Sequence, residues 1–327
     1  MKQKELTKKM EVLIREDHKN VGGVVVQKSG NICYEKYFND FEKDNPFHIF
    51  SVTKSIISIL IGIAVDKGMI ESIDQKVLDF FPEYTIKRGE KVLQNVTIKD
   101  ILTMTVPYKY KFAPYTKYFS SSDWVKSALD LMGGRGRIGE FRYAPLIGPD
   151  VLSGILIKAT GKSVLDFATE NLFAPLGINV EGNVVFHSKE EQIEWYKDRN
   201  MKGWVADPKG VNTAGWGLSL KTRDMAKLGQ LYLNHGVWDG KQIVSSVWIE
   251  QSTQEHSHWD EKKYGYLWWI IDENENSFAA LGDGGNVIYI NPKKELVVAI
   301  SAQFMPRVKD RITLIREYIE KSLDTLI

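Results

Sequence analysis

The chain has 327 residues, 43% hydrophobic and 26% charged, with a formal net charge of +1, enough for one large domain or two interleaved ones around a substantial core. That near-neutral balance gives no argument for nucleic acid or for an anionic membrane surface, so neither is expected as a partner. The single cysteine, Cys33, excludes an intramolecular disulfide and a cysteine-rich zinc site, and is expected as a buried small residue in a strand.

Met1 to Asn20 is charged and helical in pattern, without the apolar stretch of a signal peptide. The longest apolar run, around Ile56 to Val65, is too short to span a bilayer and is flanked by Lys54 and Asp66, so no membrane insertion is expected. The chain as given reads as cytoplasmic, and an exported form with its signal removed would read the same. Gly22 to Gln27 and Ile32 to Phe38 are strands joined by the turn Lys28-Ser29-Gly30-Asn31, which predicts a hairpin. A helix then runs from Ser51 to Lys67 and stops at Gly68. Short helices follow at Lys76 to Phe81, ended by Pro82, and at Ile98 to Leu102, capped by Thr97. Residues 106–120, rich in aromatics, lysine and proline, read as a long loop beside a cleft.

Asp123 to Met132 is helical. The Gly134–Gly139 segment formally contains G-x-G-x-x-G, but no strand precedes it and no apolar helix follows, which rules against a dinucleotide site. Helices are predicted at Asp150 to Thr160, Ser163 to Leu172, Thr222 to His235 and Ser245 to Ser252. Strands follow at Tyr264 to Asp272, Ser277 to Leu281, Val287 to Asn291 and Leu296 to Gln303, and Arg307 to Leu326 closes the chain as a helix. His256-Ser257-His258 reads as a surface loop and Asp272 to Asn276 as a hairpin tip. The histidines show no metal-ligand spacing, and no metal or cofactor is expected. Strands at both ends with helices between them predict a discontinuous α/β sheet domain, 1–70 plus 211–327, and a mainly helical domain, 71–210, with the active site between them.

The chemistry concentrates at Phe50-Ser51-Val52-Thr53-Lys54. A serine that opens an apolar helix with a lysine at i+3 places both on one face, so the Lys54 amine can reach the Ser51 hydroxyl. The helix N-terminus favours negative charge developing there, and burial would push Lys54 toward the neutral form that can activate serine. Of all the serines here, only Ser51 has lysine at that offset. The competing reading is a capping serine with a solvated lysine one turn on.

Phe50 to Ser55, Phe141-Arg142-Tyr143 with Asp150-Val151-Leu152 behind it, Leu172 to Ile178, Gly215-Trp216-Gly217 and Leu281 to Asn286 occur in an order that resembles the serine β-lactamase and penicillin-binding-protein superfamily. The likeness is closest to its class C-like hydrolases, which include esterases, D-amino-acid peptidases and 6-aminohexanoate oligomer hydrolases. The resemblance implies an α/β (α+β) fold of β-lactamase/transpeptidase type, with an antiparallel sheet, flanking helices and a mainly helical insert. It also implies a serine hydrolase acting on a small-molecule ester, amide or β-lactam. Ser51 would be the nucleophile, Lys54 the general base and Tyr143 a proton carrier. Backbone amides of Ser51 and Leu281 would form the oxyanion hole, with Gly282, Asp283 and Trp216 at the substrate. Asp283 has two readings, a contact for a cationic substrate group or a turn aspartate before two glycines.

Two departures from the family pattern matter. The tyrosine element reads Tyr143-Ala144-Pro145 where an asparagine is usual at its third place, and Phe278 to Leu281 lacks the basic residue that holds a substrate carboxylate. Both weaken the expectation of β-lactam hydrolysis. They also support the alternative of a catalytically impaired binding or regulatory module.

Overall fold

The computed structural model describes residues 2–323. Helix α1 (Lys2–Asp17) precedes the hairpin of β1 (Val21–Lys28) and β2 (Asn31–Tyr37), whose turn uses positive φ at Ser29 and Gly30. The short strand β3 (Pro46–His48) leads into α2 (Val52–Asp66). A helical stretch follows: α3 (Ile98–Leu102), α4 (Tyr115–Phe119), α5 (Trp124–Leu131), α6 (Asp150–Thr160) and α7 (Val164–Ala168). Strands β4 (Asn183–Val184) and β5 (Trp204–Val205) pair in parallel around α8 (Lys189–Lys197). The chain continues through β6 (Ser219–Lys221), α9 (Thr222–Leu233), the hairpin of β7 (Val237–Trp238) and β8 (Lys241–Gln242), and α10 (Ser246–Ser252). Strands β9 (Ser257–Trp259), β10 (Lys262–Tyr264), β11 (Trp269–Asp272), β12 (Ser277–Gly282), β13 (Asn286–Asn291) and β14 (Leu296–Ala302) follow, and α11 (Arg311–Leu314) continues as helical turns to Leu323.

Among the described residues, eight strands form one antiparallel sheet in the order β2-β1-β14-β13-β12-β11-β10-β9. Pairing of β1 with β14, Val24 opposite Ile300, joins the two ends of the chain. Alternate side chains go to opposite faces, as strand geometry demands. Val24 and Val26 pack with Met10 and Ile14 of α1 and Leu314 of α11, whereas Val25 joins the cluster around α2. Helix α2 is buried continuously from Val52 to Ala64. Its β-branched residues are mediocre helix formers, but burying each isoleucine contributes about 1.5–3 kcal/mol, which overrides propensity. Gly62 lets the Trp248 ring lie where a Cβ would be 2.5 Å away.

Several expectations need correction. The 106–120 loop contains α4, because Tyr118 is buried there against Trp124 and bonded to Asp150. Tyr264 to Asp272 is not one strand: Gly265 packs on the Ser252 carbonyl, Leu267 takes φ +62°, and its amide turns aside to Leu102. His256-Ser257-His258 is not merely loop, since Ser257 to Trp259 pairs as the edge strand β9, anchored by Ser257 Oγ on the Thr103 carbonyl. Cys33 does lie in a strand, but exposed, on the edge strand β2. The closing helix begins at Arg311, capped by Asp310, because Arg307 takes φ +56°; its predicted last residues lie outside the described ones. The domain division into 1–70 plus 211–327 and 71–210 is proposed here on one ground: among the described residues, 71–210 adds no strand to the large sheet.

Candidate active site

Ser51 stands where β3 turns into α2. The turn is abrupt: Phe50, a bulky non-glycine residue, takes φ +49°, a conformation that persists only where its surroundings enforce it. Here β3 pairs with β6, the Ile49 amide donates to the Leu218 carbonyl, and the Gly217 amide donates to Nε2 of buried His48. Burial holds His48 far below its usual range, to about 3, so it stays neutral and can accept that bond. Gly217 itself needs φ +94°, and a Cβ on Gly215 would lie 2.6 Å from the Pro145 carbonyl. The two glycines let the 215–217 backbone pass between α2 and the segment that carries Tyr143.

Ser51 is half-buried and its side chain does not cap the helix. Lys54 is 1% exposed, and its amine donates to Ser51 Oγ at 2.7 Å and to the Gly215 carbonyl at 2.9 Å. Neither half of the capping-serine, solvated-lysine reading survives this geometry. Burial lowers the Lys54 amine to about 7, against the opposing pull of Asp283 and Asp150. Near neutral pH a large fraction is therefore free base.

Tyr143 lies beside Ser51, whose hydroxyl acts on its phenol, and the Lys54 amine lies 5.4 Å from the centre of its ring. Burial pushes the phenol up to about 12, only partly offset by the neighbouring Ser51 hydroxyl. At pH 7 its phenolate is about one part in 10⁵, so Lys54 is much the better base and Tyr143 the better proton carrier.

Asp150, at the first turn of α6, is the functional neighbour that sequence reasoning left unassigned. It is buried and accepts from Tyr118 Oη at 2.6 Å and from the Ala214 amide at 2.7 Å. Burial raises its carboxyl to about 6. By fixing the Ala214 amide it steadies the next residue, Gly215, whose carbonyl holds Lys54. The sequence offered it only as an acidic residue at a helix start, within an anchor of the family resemblance that assigned it no role.

The C-terminal end of β12 borders the pair. Gly282 sits so close to the Ile49 carbonyl that a Cβ would be 2.3 Å from it. The Leu281 side chain packs on the far face of the sheet, and its backbone leads to Gly282. Asp283 opens the turn to Gly285, and its carbonyl accepts from Asn286 Nδ2 at 2.9 Å. Trp216 is 4% exposed, stacked behind Tyr196 at 6.4 Å between ring centres. Tyr196, from the unpredicted helix α8, and Phe304 present exposed rings on either side of Phe50.

The fold is that of the β-lactamases and transpeptidases. The octameric penicillin-binding protein homologue from Pyrococcus abyssi superposes with a TM-score of 0.74 at 22% identity, over 100% of this chain and 78% of that one. A family VIII carboxylesterase superposes with a TM-score of 0.71 at 16% identity, over 98% and 97% of the two chains. In sequence, the 6-aminohexanoate-dimer hydrolase of Paenarthrobacter ureafaciens is 23% identical over 297 residues, covering 84% of this chain and 70% of that one. The family model described as beta-lactamase matches residues 7–321, and the chain belongs to that family of serine hydrolases, which has esterase and amidase relatives.

Proposed function

We infer that the protein cleaves a small ester or amide through an acyl-enzyme on Ser51. The observation that carries this reading is the buried Lys54 amine, lowered to about 7 and 2.7 Å from Ser51 Oγ. A buried lysine with no carboxylate bonded to it is costly to a scaffold and useful to a nucleophile. Lys54 takes the Ser51 proton as Oγ bonds to the carbonyl carbon. The Ser51 amide at the head of α2, with the Leu281 amide on the β12 edge, stabilises the oxyanion. As the intermediate collapses, the bond to the leaving group breaks and Tyr143, resupplied from Lys54, gives that group its proton. Water then attacks the acyl-enzyme, losing its proton to Lys54; the bond between the acyl carbon and Ser51 Oγ breaks, Lys54 returns the proton to Oγ, and the acid leaves. The scheme calls on no metal or cofactor.

Gly282, Asp283 and Trp216 are assigned to the substrate side. β-Lactams are expected to be poor substrates, because Pro145 offers no amide donor and Phe278 to Leu281 no cation. Turnover of 4-nitrophenyl butyrate and of nitrocefin by wild type and Ser51→Ala tests the reading. Ester turnover lost in the variant, with nitrocefin far slower in the wild type, is the expected result. Absence of ester turnover would return the protein to the binding-module alternative, and turnover undiminished in Ser51→Ala would place the nucleophile elsewhere.

A further inference from the structure

The 106–120 loop and the glycine-rich 134–139 segment supply no group to the reaction scheme above, yet the fold clamps them together. Tyr108 bridges to Met132, the Lys109 amide donates to the Leu131 carbonyl, and the Gly133 amide donates to the Pro107 carbonyl. Both stretches are basic. Residues 101–122 hold Lys109, Lys111 and Lys117 and no carboxylate, and residues 131–139 hold Arg135 and Arg137 and none. The carboxylate the clamp does hold, that of buried Glu90, is already spent. It accepts from the amides of Val92, Leu93 and Gly134 and pairs with Lys109 at 3.1 Å. Lys111, Lys117, Arg135 and Arg137 are exposed, and none of them is in an ion pair among the described residues. Lys111 and Arg135 line one open hollow of about 710 Å³ between the two segments. Beside it stands Phe112, with the Lys111 amine 5.7 Å from its ring centre. At 82% exposed it is the most open large apolar side chain among the described residues.

A bare phenylalanine among unmatched cations on a loop is the chemistry of a lipid–water interface. We propose that this patch docks the protein on an anionic lipid surface. Phe112 enters the boundary between headgroups and acyl chains, and Lys111, Lys117, Arg135 and Arg137 are drawn to the headgroups. Single-stranded nucleic acid also takes cations and rings, but it needs open ring faces in succession. Here the neighbouring faces are occupied. The Arg142 guanidinium lies 5.3 Å from the Tyr108 ring centre and 5.1 Å from that of Tyr110, and Tyr115 stacks on Phe119 at 6.3 Å. Phe112 is left as a single open ring, which a bilayer can bury. The net charge of +1 hides the patch, because attraction to a surface fades within a Debye length and the local cluster decides it. The contact is peripheral and borders the candidate site: Arg142 adjoins Tyr143, and Tyr115 lies within electrostatic reach of Asp283.

Co-sedimentation of the full chain with phosphatidylcholine vesicles, with and without phosphatidylglycerol, tests the proposal. The wild type should bind only the anionic vesicles and leave them as salt is raised. Lys111→Gln combined with Arg135→Gln should weaken partitioning about 25-fold, and Phe112→Ser about tenfold. These side chains are exposed, so both variants should melt with the wild type and keep its 4-nitrophenyl butyrate turnover in solution. Ser51→Ala should bind vesicles as the wild type does, so the outcome is independent of the hydrolase reading. No binding to anionic vesicles, equal binding to neutral ones, or binding unmoved by the charge variant would overturn the proposal. Binding weakened by the charge variant but untouched by Phe112→Ser would overturn it too, and would mark a surface for soluble polyanions instead.

Discussion

Replacing Lys54 by methionine keeps the side chain's length and removes its amine, and its effect on stability can be worked out with its sign. The folded protein holds this amine at about 7 instead of 10.5 because burial disfavours the ammonium form. Lysine therefore weakens the fold by on the order of 4 kcal/mol at pH 7. With the folded value depressed, its full stability is present above pH 10.5, is lost as the pH falls toward 7, and changes little below that. Methionine forfeits the bonds to Ser51 Oγ and the Gly215 carbonyl, at 2.7 and 2.9 Å, and a buried carbonyl left unpaired costs about 1–3 kcal/mol. Lys54→Met should thus be inactive yet more stable than wild type by about 1–3 kcal/mol at pH 7, with the advantage gone or reversed by pH 10. Urea denaturation of both proteins at the two pH values measures this. Buried tyrosines such as Tyr118 and Tyr264, which ionise only at high pH, are common to both and cancel in the difference. A stability difference that stays flat from pH 7 to 10 would refute the claim that the fold forces this lysine toward neutrality.

Tyr143→Phe should slow amide hydrolysis by about 10²–10³ and 4-nitrophenyl ester hydrolysis much less, since nitrophenolate leaves without a proton; steady-state kinetics on a matched amide and ester decide it. Asp150→Asn tests a positioning residue. The wild-type carboxyl is raised to about 6, so it contributes stability below pH 4 that is lost as the pH rises through 6, roughly 3 kcal/mol in all. The variant should lack that slope in denaturation measured from pH 4 to 7, while its kcat falls as Gly215 loosens its hold on Lys54. Gly282→Ala places a methyl 2.3 Å from the Ile49 carbonyl, and should cost about 1–3 kcal/mol in thermal or urea unfolding together with most of the activity.

The Ser51–Lys54 pair was legible in the sequence because its geometry is local: one turn of one apolar helix sets the spacing. The hairpin, α2 and the strands from Ser277 onward were legible for the same reason, each announced by its own periodicity and turn residues. What escaped depends on contacts between distant parts of the chain. The role of Asp150 exists only because residue 214 lies beside it. The positive φ of Phe50 is imposed by pairing of 46–48 with 219–221, strands too short to leave a pattern. Helix α8, polar and without a buried residue, offered no apolar face to read, yet it delivers Tyr196 to the cleft. The family resemblance supplied Tyr143 and the β12 edge, which local chemistry alone would have left as an ordinary tyrosine and an ordinary strand.

The central claim is that Ser51 is a nucleophile activated by Lys54. Intact-protein mass after incubation with a fluorophosphonate, followed by peptide mapping, tests it most directly. The account predicts one adduct, on Ser51, absent from Ser51→Ala and forming far more slowly in Lys54→Met, with a rate in wild type that rises with pH through about 7 as the Lys54 amine loses its proton. No adduct, an adduct on another residue, or labelling of Lys54→Met at the wild-type rate would contradict it.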